Sequence, residues 1–433
     1  MKASLFTAVA FAAAIALHDL GQMPVHPAPR PPAPVPGAPP EGSAAPDGYA
    51  PIPQWLGQTR APHPAPSKAS PAFDVETVAS GFTGAFCFSF LPDGRILVGE
   101  RPGHIKIVRL GGSSASAGQA GQPEIVEVGG MPSNLYARNG LFEVRADRAF
   151  ATNRIVYLTY LVLPDGVDAA KVRNPGVLVV ARATLSADGK RLDDVRQLLD
   201  AEGTGGRLIQ ARDGTLLVTS TIPSGVGINS ADWPQPQQLG SDMGKVLRIN
   251  SDGTIPKDNP FAAQTGARPE IFALGFRDVQ GVTINPRTGA LWTSEHGPRG
   301  GDEINVVEKG RNYGYPVIGY GRDYSGKPIN GDRTAQQGME QPVYFWTPDI
   351  APAGIAFYDG RMFPAWQGDL FVAALAGKSL VRLVLNNDRV VAEERLLADL
   401  DARIRGVETG PDGALYVLTD GPNGRLLRLK PKR

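Results

Sequence analysis

The chain has 433 residues, with 44 Lys+Arg against 43 Asp+Glu and a formal net charge of +1. Length alone predicts about three domains, unless the chain is a repeat fold in which each unit adds its own slice of core. So even a charge balance argues against nucleic acid as a partner, because polyanion binders carry a basic excess. Charged residues make up 20% and apolar ones 42%, so most of the chain can fold. The 52 Gly and 39 Pro favour turns and short strands over long helices. The single cysteine, Cys87, forbids an intramolecular disulfide and any cysteine-cluster metal site.

Met1-Lys2 and the apolar run 3–17 read as a secretory signal, too short for a bilayer span of about twenty residues. Residues 1–20 are thus expected to be a signal peptide. The mature form then has no transmembrane segment, and the protein is periplasmic or secreted; an uncleaved membrane anchor is the alternative. Between Pro24 and Pro71 lie 16 of the 39 prolines. Proline donates no backbone hydrogen bond and fixes φ, so residues 21–72 read as a Pro/Ala-rich disordered tether. The folded domain is expected over 73–433.

From Phe73 onward a turn followed by a β-rich run recurs. Leu91-Pro-Asp-Gly-Arg-Ile-Leu-Val98 is the first, and Thr152-Asn-Arg-Ile-Val-Tyr-Leu-Thr159 resembles it with Asn in place of Gly. Arg212-Asp-Gly-Thr-Leu-Leu-Val-Thr219 and Arg287-Thr-Gly-Ala-Leu-Trp-Thr293 follow. Trp366-Gln-Gly-Asp-Leu-Phe-Val372 and Pro411-Asp-Gly-Ala-Leu-Tyr-Val417 complete six units, spaced by roughly sixty residues, which suits four short strands each. Asn and Gly supply the positive φ that tight hairpins need, and the runs have the composition of strands buried near a propeller axis. The reading is an all-β, six-bladed β-propeller; a β-sandwich plus a second β domain is the alternative. A propeller's ligand site is expected on its axis, where the loops between blades converge.

Gly275-Phe-Arg-Asp-Val-Gln-Gly281, Ser294-Glu-His-Gly-Pro-Arg-Gly-Gly-Asp-Glu-Ile-Asn305 and Gly310-Arg-Asn-Tyr-Gly-Tyr-Pro316 form a long, unusual block. With Gly244-Lys245, Trp346 to Gly354 and Arg403-Ile-Arg405, it resembles the soluble pyrroloquinoline-quinone (PQQ)-dependent aldose dehydrogenases, the glucose/sorbosone dehydrogenase family. That resemblance implies a six-bladed propeller, PQQ and Ca2+ as cofactors, and a small sugar as substrate. It also implies oxidation at C1 to a lactone by hydride transfer, with a base removing the hydroxyl proton and an electron acceptor that the sequence does not identify. On this resemblance the main-chain carbonyls of Gly297 and Pro298 hold a catalytic calcium beside His296, and Asp302, Glu303 and Tyr313 hold a structural one. Arg403 and Arg405 alternate on a strand and can reach the same anion, and together with Lys245, His296 and Trp346 they are the expected cofactor contacts.

The sequence also departs from the family pattern. The family's general base is a histidine in a segment whose counterpart here is Gly140-Leu-Phe-Glu-Val-Arg-Ala-Asp-Arg-Ala-Phe150, and Asp147 stands at the histidine position. A carboxylate with an unperturbed pKa of about 3.9 is a weaker base than a histidine at about 6.5, and Asp147 also reads as an ordinary turn residue. The family's arginine after the third blade is missing, since none occurs between Arg212 and Arg248; Asp278-Val279 replace Asn-Pro, Phe276 replaces a histidine, and Asp349 replaces a Ser or Thr. Of five histidines, His18, His26 and His63 lie in the leader and tether and His104 in a turn, which leaves His296 as the other candidate base. The alternatives are a degenerate propeller that binds carbohydrate or an envelope partner, and a calcium-dependent lactonase-type hydrolase in which Asp147, Asp278 and Asp349 converge on the axis.

Overall fold

The runs after the six turns are β-branched and aliphatic, and in the structure all six are strands. The computed structural model describes residues 65–432, apart from 67–68, 112–121, 139, 164–167, 169–176, 223–234, 325–326 and 328. The expected signal peptide and most of the expected tether lie outside the described residues.

Six four-stranded antiparallel sheets form the blades. Blade 1 runs outward through Ala85–Phe90, Ile96–Glu100, His104–Arg109 and Glu124–Val128. Blade 2 comprises Leu141–Ala146, Ile155–Val162, Val177–Leu185 and Leu192–Glu202; blade 3, Thr204–Gln210, Leu216–Thr221, Lys245–Ile249 and Ile271–Leu274. Blade 4 comprises Val279–Ile284, Leu291–Glu295, Asp302–Val307 and Tyr344–Trp346; blade 5, Pro352–Phe357, Leu370–Ala374, Ser379–Asn386 and Arg389–Leu396. Blade 6 takes Ile404–Thr409, Leu415–Thr419 and Gly424–Pro431. Its outer edge is the N-terminal strand Phe73–Phe82, paired antiparallel from Phe73↔Pro431 to Phe82↔Gly424.

The six turn motifs therefore mark one hairpin per blade, and the run after each turn is the second strand, not the innermost one. The glycines at 94, 214, 289, 368 and 413 carry φ between +79° and +86°, the left-handed values that hairpin turns need. Unit two differs. A single helical turn, Phe150–Asn153, replaces the tight turn, and the positive φ falls on Arg154 (+55°), not on Asn153.

Burial follows the ring. Six clusters of buried apolar side chains each lie between two neighbouring blades: Cys87, Leu97 and Leu158 join blades 1 and 2, and Trp292, Trp346 and Val381 join blades 4 and 5. A sandwich would concentrate burial between two sheets. Here every blade faces two neighbours and is apolar on both sides, as the uniformly buried second strands Ile96–Glu100, Leu291–Glu295 and Leu415–Thr419 show. The ordered contacts begin before the expected boundary at Phe73. Ser70 donates through N and Oγ to Glu394, and Trp366 Nε1 donates to Ser70 Oγ at 2.9 Å.

Candidate active site at the axial mouth

Every innermost strand starts with a break in register. The residues skipped by the pairing are Phe86, Phe142, Gly206 with Arg207, Gln280, Ala353 with Gly354, and Arg405. Bulges of this kind bend the strand and re-aim its side chains. Here they aim them at the axis. Phe86 and Phe142 meet edge to face at 5.4 Å between centroids, the guanidiniums of Arg207 and Arg405 lie 5.5 and 4.7 Å from the Phe86 ring, and Arg405 reaches Gln280 Oε1 at 3.4 Å. Side chains from five blades can touch one another only near the axis.

This end of the ring is cationic. Arg405, 4% exposed, and the half-exposed Arg403 share the Asp420 carboxylate at 3.1 and 3.4 Å. Arg101, which follows the second strand of blade 1, brings its guanidinium within 4.7 Å of the Phe86 ring. Burial and the charge of Arg101 push the Arg405 pKa down against the pull of Asp420. A bound anion would relieve that strain.

His296 sits beside this group, at the end of the second strand of blade 4. Its backbone N–H donates to the Asp278 carbonyl, and Nδ1 lies 3.6 Å from Asp278 Oδ2. Nε2 is buried and has no hydrogen-bond partner among the described residues. Burial, opposed by Asp278 and aided by Arg405 and Arg277, lowers its pKa, which favours the neutral ring, the form whose lone pair can take a proton.

The residues expected around calcium fall into two groups. Gly297, Pro298, Glu303 and Tyr313 line one cavity of ≈ 30 Å³, together with Glu295 and Arg277. Glu295 and Glu303 are cross-strand partners that share the Asn305 amide at 2.9 and 3.2 Å. Burial raises the pKa of both, and the charge of Glu295 adds to the rise at Glu303. Two adjacent carboxyls whose ionisation is held back, beside carbonyl oxygens, suit a hard divalent ion that would take up their charge. Arg277 donates to the carbonyls of His296 (2.8 Å) and Gly297 (3.0 Å), so an ion at Gly297 would share that oxygen with a guanidinium. Asp302 is used differently: Oδ1 accepts from Gly297 N, and Oδ2 from Ile350 N and Ala351 N. It staples two loops. The Tyr313 hydroxyl donates to Val306 O and accepts from Glu308 N, so only its main chain remains for an ion. Among the described residues no three His, Cys, Asp or Glu side chains are grouped to hold a metal, so a site here depends on carbonyls.

Three expected site residues lie away from the mouth. Asp147 follows the inner strand of blade 2, at the hairpin-turn end of the axis. There it lines a depression of ≈ 890 Å³ with Arg148, Asp359, Arg361 and Asp412. Its oxygens accept from Tyr157 Oη (2.7 Å), Gln210 Nε2 (2.9 Å), Asn153 Nδ2 (2.9 Å) and Ala149 N (2.8 Å). Burial alone would raise its pKa, but these donors outweigh it and hold the carboxyl below its ordinary value. It is a turn clamp with no lone pair aimed at the mouth. Asp147, Asp278 and Asp349 therefore do not converge. Trp346 is fully buried between blades 4 and 5, its indole donating to Glu393 Oε2 at 3.0 Å, so it is core packing. Lys245 is buried with Nζ on the carbonyls of Gln235 and Met243, and burial, opposed by Asp242 and Glu202, brings its pKa down to about 7. It ties its own loop together. Phe86, Arg101, Arg207 and Gln280 were not singled out from sequence; the signal that could have found Arg207 and Arg405 is the same, a charged residue opening an otherwise apolar inner strand.

Fold and site together define the class: a six-bladed propeller whose axial mouth carries guanidiniums, an unpartnered imidazole nitrogen and an acidic cavity. The model of the glucose/sorbosone dehydrogenase family matches residues 82–428, and the chain belongs to that family. It is 37% identical over 376 residues to aldose sugar dehydrogenase YliI of Escherichia coli, covering 84% of this chain and 95% of that one. Against quinoprotein glucose dehydrogenase B of Acinetobacter calcoaceticus it is 27% identical over 424 residues, covering 80% and 85%. The apo-form crystal structure of the soluble aldose sugar dehydrogenase of E. coli superposes with a TM-score of 0.73 at 34% identity, over 83% of this chain and all of that one. No helix among the described residues is long and apolar enough to cross a membrane.

Proposed function

We propose that this protein oxidises an aldose, or a related alcohol, at C1 to a lactone, with PQQ as hydride acceptor and calcium as an accessory ion. The observation that carries the reading is the mouth itself, where Arg403 and Arg405 share the Asp420 carboxylate and Arg101 lies on the same Phe86 ring as Arg405, next to the unpartnered Nε2 of His296. The buried, unpartnered Nε atoms of Arg101 and Arg405 suit a cofactor rich in carboxylates. When bound, the quinone supplies a two-electron acceptor for the hydride leaving C1, and calcium supplies a Lewis acid.

This chain's residues do the rest. Arg403 and Arg405 would hold cofactor carboxylates. Nε2 of His296 accepts the C1 hydroxyl proton, while Asp278, close to Nδ1, favours the N–H on that side. The lone pair therefore points away from Asp278. Glu295 and Glu303, with carbonyl oxygens of the 297–298 loop, would hold the ion. Export is inferred from the signal-like run 3–17, and fractionation of producing cells tests it.

The central test is reconstitution. Purified protein is loaded with the quinone and calcium, and dye reduction is followed across a panel of aldoses. A bound-quinone spectrum with turnover is the expected result. Absence of both would favour a carbohydrate- or envelope-binding module, and lactone cleavage with calcium alone would favour a hydrolase.

A further inference from the structure

Three arginines gather on one phenylalanine at the mouth, and their hydrogen-bonding capacity is unevenly used. Arg207 is committed: its NH2 nitrogen lies 3.2 Å from Glu143 Oε2, and its NH1 nitrogen donates to the carbonyl of Phe142. Arg405 divides its donors between Asp420 and Gln280. Arg101 stacks on Phe86 at 4.7 Å, the same distance as Arg405, yet its side chain donates to no acceptor among the described residues, and its Nε is buried. Burial lowers its pKa, and Asp420 and Asp278 act on it only at a distance. A guanidinium held by an aromatic face loses little further freedom when it grips an anion, because its planar fork is already oriented. Arg101 is half-buried, and leaving its buried Nε unpaired is costly unless an anion arrives.

We infer that Arg101 is an anion-binding residue of the mouth, taking a carboxylate of a planar polycarboxylate ligand alongside Arg403 and Arg405. This rests on the quinone reading for the identity of that ligand. It also answers a deficit in the sequence, where no arginine occurs between Arg212 and Arg248 and an aspartate stands at 278. Blade 1 thus supplies a free guanidinium in place of that missing arginine.

The test uses the full calcium-loaded protein and two probes, PQQ and the redox-silent pyridine-2,4,6-tricarboxylate, each titrated calorimetrically. Arg101→Met keeps the apolar stem over Phe86 and removes the donors; Arg101→Lys keeps the charge and loses the fork. The Met variant is expected to weaken both probes by about tenfold or more, the scale of one charge-assisted hydrogen bond, with the Lys variant in between. Equal affinity of wild type and Arg101→Met for PQQ overturns the inference and leaves the quinone reading intact. Arg101-dependent binding of the tricarboxylate without uptake of PQQ upholds the anion seat and removes the quinone reading. If wild type binds neither probe, both fail. Should Arg101→Met not fold, Arg101→Lys alone decides, and undiminished PQQ affinity in it overturns the fork contact.

Discussion

Replacing Asp147 separates its two readings, base or clamp. Four donors converge on its carboxylate, and two of them, Tyr157 and Gln210, are themselves buried and would lose this acceptor, Gln210 keeping only its longer bond to the Gly214 carbonyl. Hydrogen bonds to a charged acceptor contribute about 1.5–3 kcal/mol each and do not add, so Asp147→Ala is expected to cost about 3–4 kcal/mol of stability. Asp147→Asn keeps one acceptor and should cost about 1–2 kcal/mol. The folded pKa of Asp147 lies below its ordinary value. The clamp's contribution is therefore complete above about pH 5 and fades as pH falls through about 3.9 toward the lower folded value. Urea unfolding of wild type and Asp147→Ala at pH 7 and pH 3.5 measures this directly: the gap should be smaller at the second than at the first. Quinone affinity and turnover should not change, because the residue sits at the far end of the axis from His296. A variant that melts like wild type yet loses turnover a hundredfold would refute this and restore Asp147 as the base.

His296→Asn should lower turnover by about 10²–10⁴-fold, the range of general-base contributions, while quinone titration shows unchanged affinity. For Glu303→Gln, half of the acidic pair is gone, so the stabilisation by calcium, about 2.7 kcal/mol at a hundredfold excess over Kd and read as a rise in melting temperature, should shrink or vanish. Trp346→Phe leaves Glu393 short of a donor and opens a small void between blades 4 and 5. It should cost about 2–3 kcal/mol in denaturant unfolding with no effect on quinone affinity.

The fold was legible because a hairpin is a local event. Asp-Gly and its relatives force a positive φ whatever surrounds them, so Gly94, Gly214 and Gly413 announce their blades from neighbouring residues alone. Strand rank within a blade is not local, so nothing in the runs after the turns tells the second strand from the innermost one. The site divides the same way. His296 and Arg405 lie in segments distinctive enough to be recognised, but Arg101, in a turn sequence Arg-Pro-Gly-His, gains its meaning only from the bulge that swings Phe86 beneath it. Asp147 shows the opposite limit: a matching stretch of sequence sets it at a histidine's place, while the strand it follows carries it to the other end of the ring, where it sits as its alternative reading, a turn residue, expects. Lys245 and Trp346 illustrate the same limit, since an amine on its own loop and an indole in a core leave no mark in sequence.

The pairing of Phe73–Phe82 with Gly424–Pro431 makes the two chain ends into a seam. Until the last strand has been synthesised, Phe73–Phe82 has no strand to pair with, Leu415–Thr419 lacks its outer neighbour, and the ring cannot shut. Assembly thus waits for the most distant contact in the chain, a slow step by the measure of sequence separation. On its N-terminal side the seam continues to Ser70, whose bonds to Glu394 and Trp366 of blade 5 knit the closing blade to its neighbour as well.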